Sequence, residues 1–109
     1  PCPKDTPRNQ WTDCKGTASI GWEKTYSGAW KDGQMHGQGT FAANTSDGTK
    51  SYVGSWKYGK KNGKGLSTSK TDRKKCEYFG DFKDDKRHGF GKFECEYLDK
   101  RMNNFLYKT

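Results

Sequence analysis

The stretch from Tyr26 to Gly39 reads YSGAWKDGQMHGQG and returns twice downstream, as YVGSWKYGKKNGKG from Tyr52 to Gly65 and YFGDFKDDKRHGFG from Tyr78 to Gly91. Tyr26, Gly28, Trp30, Gly33, Gly37 and Gly39 are answered by Tyr52, Gly54, Trp56, Gly59, Gly63 and Gly65, and then by Tyr78, Gly80, Phe82, Asp85, Gly89 and Gly91, each 26 residues further on. Aromatics and glycines in fixed register set the architecture before any chemistry is considered.

Each copy predicts a β-hairpin. Asp32-Gly33 suits a two-residue type I′ turn, which pairs Trp30 with Met35, Gly28 with Gly37 and Tyr26 with Gly39. Side chains alternate along a strand, so Tyr26, Gly28 and Trp30 share one face, and the glycines opposite leave room for rings to lie across the backbone. Ser27, Ala29, Lys31, His36 and Gln38 fall on the other face, which reads as wettable. A lone hairpin is marginal, but three in series share their aromatic faces. The expected fold is all-β, a single-layer twisted antiparallel ribbon of three stacked hairpins.

The composition agrees with that reading. A chain of 109 residues with 28% hydrophobic content makes one small domain without a thick aliphatic core. Its 4 Trp, 6 Tyr and 6 Phe must carry the burial, each able to hide roughly 150–250 Å². The formal charge of +8 gathers between Trp56 and Cys76. Lys57, Lys60, Lys61, Lys64, Arg73, Lys74 and Lys75 form a candidate basic patch for anionic partners, the alternative being a solvated face. No apolar run approaches the ~18 residues that cross a bilayer. Beginning at Pro1-Cys2-Pro3 without Met, the chain reads as a mature segment with its leader removed.

Four cysteines allow three connectivities, and Cys2–Cys14 with Cys76–Cys95 disturbs the repeats least. In the register above Cys76 and Cys95 are diagonal across the third hairpin, so a bulge or register change is needed to close them. Zinc sites draw on tight Cys or His spacings that are absent here, so neither a metal nor a cofactor is expected. An even cysteine count in a core-poor domain points to disulfides and to the periplasm or the extracellular space.

The chain divides into an N-terminal cap (1–20), three repeats (21–46, 47–72 and 73–95) and a C-terminal cap (96–109). Cys14-Lys15-Gly16-Thr17 echoes Gly37-Gln38-Gly39-Thr40, which suggests half a hairpin pinned by a disulfide. Leu98, Met102, Phe105 and Leu106 approximate helical spacing, so a short helix over the last hairpin is expected, with a strand as the alternative. His36 and His88 occupy one repeat position, where the second copy has Asn62, and therefore read as turn residues rather than catalysts. Asp84, Asp85, Glu94 and Glu96 lie at turns or alternate along a strand, and a thin sheet offers them no deep pocket. No enzymatic activity is expected.

The pattern YxGxWxxGxxxGxG resembles the MORN (membrane occupation and recognition nexus) repeat over residues 26–93, with Phe82 and Asp85 as departures. The opening segment, with its TPRNQWTDCKGT run, resembles the start of small exported bacterial MORN proteins. The resemblance implies a twisted antiparallel ribbon with an aromatic-lined groove. It also implies protein–protein interaction or scaffolding, acidic-phospholipid binding in some members, and no catalysis. The candidate groove is Tyr26, Trp30, Tyr52, Trp56, Tyr78 and Phe82, facing an extended segment of a protein partner, although the same rings also read as plain core. The alternative function is peripheral binding of anionic lipid or envelope polymer through the basic patch. Nucleic acid is not expected as a partner in an exported protein, and open ribbon ends suit a homodimer.

Overall fold

Asp32 and Gly33 both adopt positive φ, 51° and 76°, as a type I′ turn requires. Trp30 pairs with Met35 and Lys31 with Gln34, in the expected hairpin. The computed structural model describes residues 1–99 and 105–108, with Leu98, Asp99 and 105–108 described by backbone alone. Its strands are β1 (Cys14–Gly21), β2 (Lys24–Lys31), β3 (Gln34–Thr45), β4 (Gly48–Lys57), β5 (Lys60–Thr71), β6 (Lys74–Lys83), β7 (Lys86–Asp99) and β8 (Phe105–Lys108). They form one antiparallel sheet in sequence order.

The register departs from expectation between each Trp or Phe and the glycine two residues before it. Gly28 pairs with Gly39 rather than Gly37, and Tyr26 pairs with Phe41 rather than Gly39, because β3 bulges between the Trp30–Met35 and Gly28–Gly39 pairs. The same irregularity recurs in the second and third hairpins, between Gly54 and Trp56 and between Gly80 and Phe82. Gly37, Gly63 and Gly89 sit in the bulges at φ of 90°, 97° and 66°, where a side chain would be strained. The two glycines of each GxG thus serve different ends. The first turns the backbone, and the second seats a ring.

The bulges align a row of glycines across seven strands. Gly16, Gly28, Gly39, Gly54, Gly65, Gly80 and Gly91 pair successively from β1 to β7. Tyr26, Tyr52 and Tyr78 lie across this row, and a methyl group on Gly39, Gly65 or Gly91 would overlap the respective ring. Each tyrosine hydroxyl donates to a backbone carbonyl three residues on, at 2.9, 2.9 and 3.2 Å to Ala29, Ser55 and Asp81. The rings then touch edge to face along the ribbon. Tyr26 lies 5.2 Å from Trp30 and 5.4 Å from Trp56 between centroids, and Tyr52 lies 5.1 Å from Trp56 and 5.0 Å from Phe82. Tyr78 meets Phe82 at 5.3 Å. These six rings are between 0 and 7% exposed, so a single sheet buries its core by laying aromatics flat on its own backbone.

At the N-terminus Cys14 stands opposite Trp30 and Gly16 opposite Gly28, as Gly37 stands opposite Trp56 and Gly39 opposite Gly54. The echo of the GxG segment in Cys14-Lys15-Gly16 is thus real, and residues 14–21 form the first strand of the sheet. The Cys2–Cys14 disulfide holds the preceding segment over it. Trp11 continues the ring contacts onto Trp30 at 5.3 Å, and its carbonyl accepts the Gly33 N–H at 2.7 Å. The second disulfide joins Cys76 and Cys95, which the bulge makes direct cross-strand partners rather than diagonal ones.

The expected C-terminal helix is not found. β7 runs on to Asp99, and β8 pairs back along Glu96–Asp99. An open sheet edge satisfies backbone hydrogen bonds as a helix would, and edge pairing decides here over weak helical spacing. Residues 100–104 and 109, including Met102 of the helical spacing, lie outside the described residues.

Candidate interaction surface

Register separates the charges of the strands by face. On the aromatic face Lys24, Lys50, Lys61, Lys74 and Arg87 occupy strand positions between residues 24 and 97, and no Asp or Glu does. Glu77, Asp81, Glu94 and Glu96 all lie on the opposite face. Two of the cations roof the rings directly. Lys61 Nζ stands 5.2 Å from the centroid of Tyr52 and 5.8 Å from that of Phe82, and the Arg87 guanidinium stands 4.9 Å from both Tyr78 and Phe93. Burial lowers the Lys61 pKa, Asp85 opposes that shift, and Lys50 adds to it.

The six predicted groove rings come together as one ladder, but they form its floor rather than its lining. What a partner would touch on this face is the layer above: Lys50, Lys61, Arg87, Phe41 and Phe93. Met35, Lys61 and Arg87 share one repeat position, opposite Trp30, Trp56 and Phe82. That equivalence is visible in the sequence and was the signal for a ring-covering layer, since the predicted Trp30–Met35 pairing already puts this position on the aromatic face.

The predicted basic patch is dispersed. Lys57 and Lys60 flank the Tyr58-Gly59 turn, while Arg73 and Lys74 lie at the Asp72-Arg73 turn, at opposite ends of β5. Twelve residues of strand separate those turns, a distance of about 40 Å. Lys75 belongs with the latter end on the acidic-residue face, Lys61 covers the rings, and Lys64 pairs with Asp81 at 3.0 Å on the far face.

The hairpin tips nearest the N-terminal cap bind one another. The Gly59 N–H donates to the Met35 carbonyl at 2.8 Å, and the Asp85 N–H donates to the Lys61 carbonyl at 3.1 Å. Asp85, which replaces the turn glycine, accepts the Lys61 N–H on its carboxylate at 2.8 Å. His36 accepts the Tyr58 N–H on Nδ1 at 3.2 Å and packs against the Tyr58 ring, which gives it a structural role between tips. Among the described residues no group of three or more His, Cys, Asp or Glu side chains is placed to hold a metal ion.

The opposite face is less uniformly polar than expected. Val53, Leu66 and Phe79 are adjacent across β4, β5 and β6, and Val53 and Phe79 are exposed. On β7 Lys92 stands opposite Phe79 and ends this apolar line, and Phe90, two residues before it, is 92% exposed.

The pattern of the MORN repeat matches residues 26–47, 52–71 and 78–96. The chain belongs to the MORN repeat family. MORN repeats are in general non-catalytic modules that bind proteins or membranes. In this MORN protein the matched segments begin at Tyr26, Tyr52 and Tyr78, the three tyrosines seated on the glycine row. No curated protein matches the chain. Its two disulfides are compatible with an oxidising, exported location.

Proposed function

We propose that this MORN protein is a non-enzymatic interaction module whose aromatic face receives an extended, acidic segment of a partner protein. The observation that carries the reading is the segregation of charge: five cations and no carboxylate on the strand positions of that face, three of the cations lying over rings. An extended segment matches the run of the ladder, and acidic side chains match its roof. The disulfides support a site of action in the periplasm or outside the cell. The Trp fluorescence of the protein, titrated with an extended peptide rich in alternating Glu and Leu, tests this. Binding should weaken steeply with salt and disappear in a Lys50→Glu, Lys61→Glu, Arg87→Glu variant that keeps its circular dichroism. Absence of binding at low salt overturns it.

A second reading, peripheral binding of anionic lipid or envelope polymer, draws on the adjacent Arg73, Lys74 and Lys75 at one ribbon edge. Sedimentation with anionic vesicles at low salt, lost in an Arg73→Glu, Lys74→Glu, Lys75→Glu variant, distinguishes it from the first.

A further inference from the structure

The layer above the rings has one gap. Phe41, Ser67 and Phe93 hold the same repeat position, on β3, β5 and β7, opposite Tyr26, Tyr52 and Tyr78 in turn. Two residues on, Ala43, Ser69 and Cys95 are equivalent in the same way. The second repeat thus carries a hydroxyl where its neighbours on either side carry a phenyl ring. Lys61 Nζ covers Tyr52 on one flank of this gap, and Lys50 stands opposite Ser69 on the other. Burial lowers the Lys61 pKa, Asp85 opposes that, and Lys50 lowers it further, so the two ammonium groups lie near enough to act on each other. A cationic, hydroxyl-lined gap between two phenyl rings suits an anionic side chain flanked by apolar ones.

The interval between these seats selects a conformation for the segment that fills them. Phe41, Ser67 and Phe93 lie on alternate strands, so successive seats are about 9.6 Å apart. A β-strand laid along the row presents a side chain to it every ~6.7 Å and falls out of step at once. An α-helix returns to the same face at about 10.5 Å, after seven residues. Polyproline II returns every third residue, at about 9.3 Å. From Phe41 to Phe93 the α-helix drifts by about 1.8 Å and polyproline II by about 0.6 Å. Aromatic-lined surfaces also suit polyproline II because its conformation is set before binding.

Resting on the reading that the aromatic face receives an extended acidic segment, we infer that this segment is a polyproline II helix that meets the ribbon with every third residue. An apolar side chain lies on Phe41, an acidic one enters the gap, and a second apolar one lies on Phe93. The carboxylate accepts hydrogen bonds from the Lys50 and Lys61 ammonium groups and from the Ser67 and Ser69 hydroxyls. The middle residue sets specificity, and the motif reads the same in either chain direction.

Trp fluorescence titration of the intact, oxidised protein at low salt tests this with blocked peptides. Leu-Pro-Pro-Glu-Pro-Pro-Leu should bind roughly tenfold tighter than Leu-Pro-Glu-Pro-Leu-Pro-Pro, which has the same composition in the wrong period. Ser67→Phe fills the gap with the residue that the first and third repeats already carry there, so the fold accepts it. That variant should reverse the preference, taking Leu-Pro-Pro-Leu-Pro-Pro-Leu over the glutamate peptide. If the alternating Glu and Leu peptide binds while the period-three peptide does no better than its rearranged counterpart, the inference falls and the proposed function stands. If no peptide binds at low salt, both fall. A Ser67→Phe variant that keeps the wild-type preference removes the gap from recognition and also overturns the inference.

Discussion

Gly39 lies directly beneath the ring of Tyr26, leaving no space for a methyl group. Gly65 and Gly91 hold the same relation to Tyr52 and Tyr78. A β-carbon at any of these positions must displace a fully or almost fully buried ring. Gly39→Ala should therefore cost ~3 kcal/mol of unfolding free energy, by chemical denaturation. Gly59→Ala meets open space and bears only the strain of its φ of 82°, so it should cost ~1 kcal/mol. Equal costs would mean that backbone conformation, not ring seating, governs the glycine row.

Trp56 touches Tyr26, Tyr52 and Phe41 and donates its indole N–H to the Gly39 carbonyl at 3.3 Å. Trp56→Ala should lose about 3–5 kcal/mol, enough to unfold much of the protein at room temperature. Trp56→Phe keeps the edge-to-face contacts and gives up the hydrogen bond, at about 1 kcal/mol. Phe82 in the third repeat is a natural instance of that exchange. Thermal melts of the two variants read the difference.

Burial pushes the Tyr26 hydroxyl up to about 12, against a smaller opposing effect of its hydrogen bond to Ala29, and it raises Tyr52 in the same way. The fold therefore favours the neutral phenols. That stabilisation is complete below pH 10, the ordinary tyrosine value, and is lost as pH rises through about 12, for a total of roughly 2–3 kcal/mol from Tyr26. An alkaline titration followed at 295 nm should show Tyr26 and Tyr52 ionising above pH 10, together with the loss of β circular dichroism. Their ionisation near pH 10 with the fold intact would contradict this.

The Cys2–Cys14 disulfide closes a short loop that holds Trp11 against Trp30. Replacing both cysteines with Ser should cost roughly 3 kcal/mol on a loop-entropy basis. Trp30 should then become accessible to iodide quenching while the third repeat keeps its melting behaviour, since each repeat contacts only its neighbours.

The repeat, the I′ turn at Asp32-Gly33 and both disulfide pairs were legible because each depends on local spacing. The bulge was not. Gly37 and Gly39 are the same letter, and only the φ of 90° at Gly37 separates a glycine needed for its backbone from one needed for its emptiness. That ambiguity hid the direct pairing of Cys76 with Cys95. The C-terminal strand was missed for a different reason. Leu98, Phe105 and Leu106 fit a helix by spacing, and only the open edge of β7 decides for β8. The dispersal of the basic patch was beyond reach of charge counting, since Lys60 and Lys74 are close in sequence yet separated by the length of β5.

A ladder in which every ring touches only the next gives the molecule a graduated length. Each 26-residue block contributes two strands, about 10 Å along the ribbon. Inserting or deleting one block would carry its own rung contacts with it and leave both ends chemically unchanged. The fold is thus a spacer that can be lengthened or shortened in fixed steps, and the distance between whatever its two ends hold is written in the number of tyrosines.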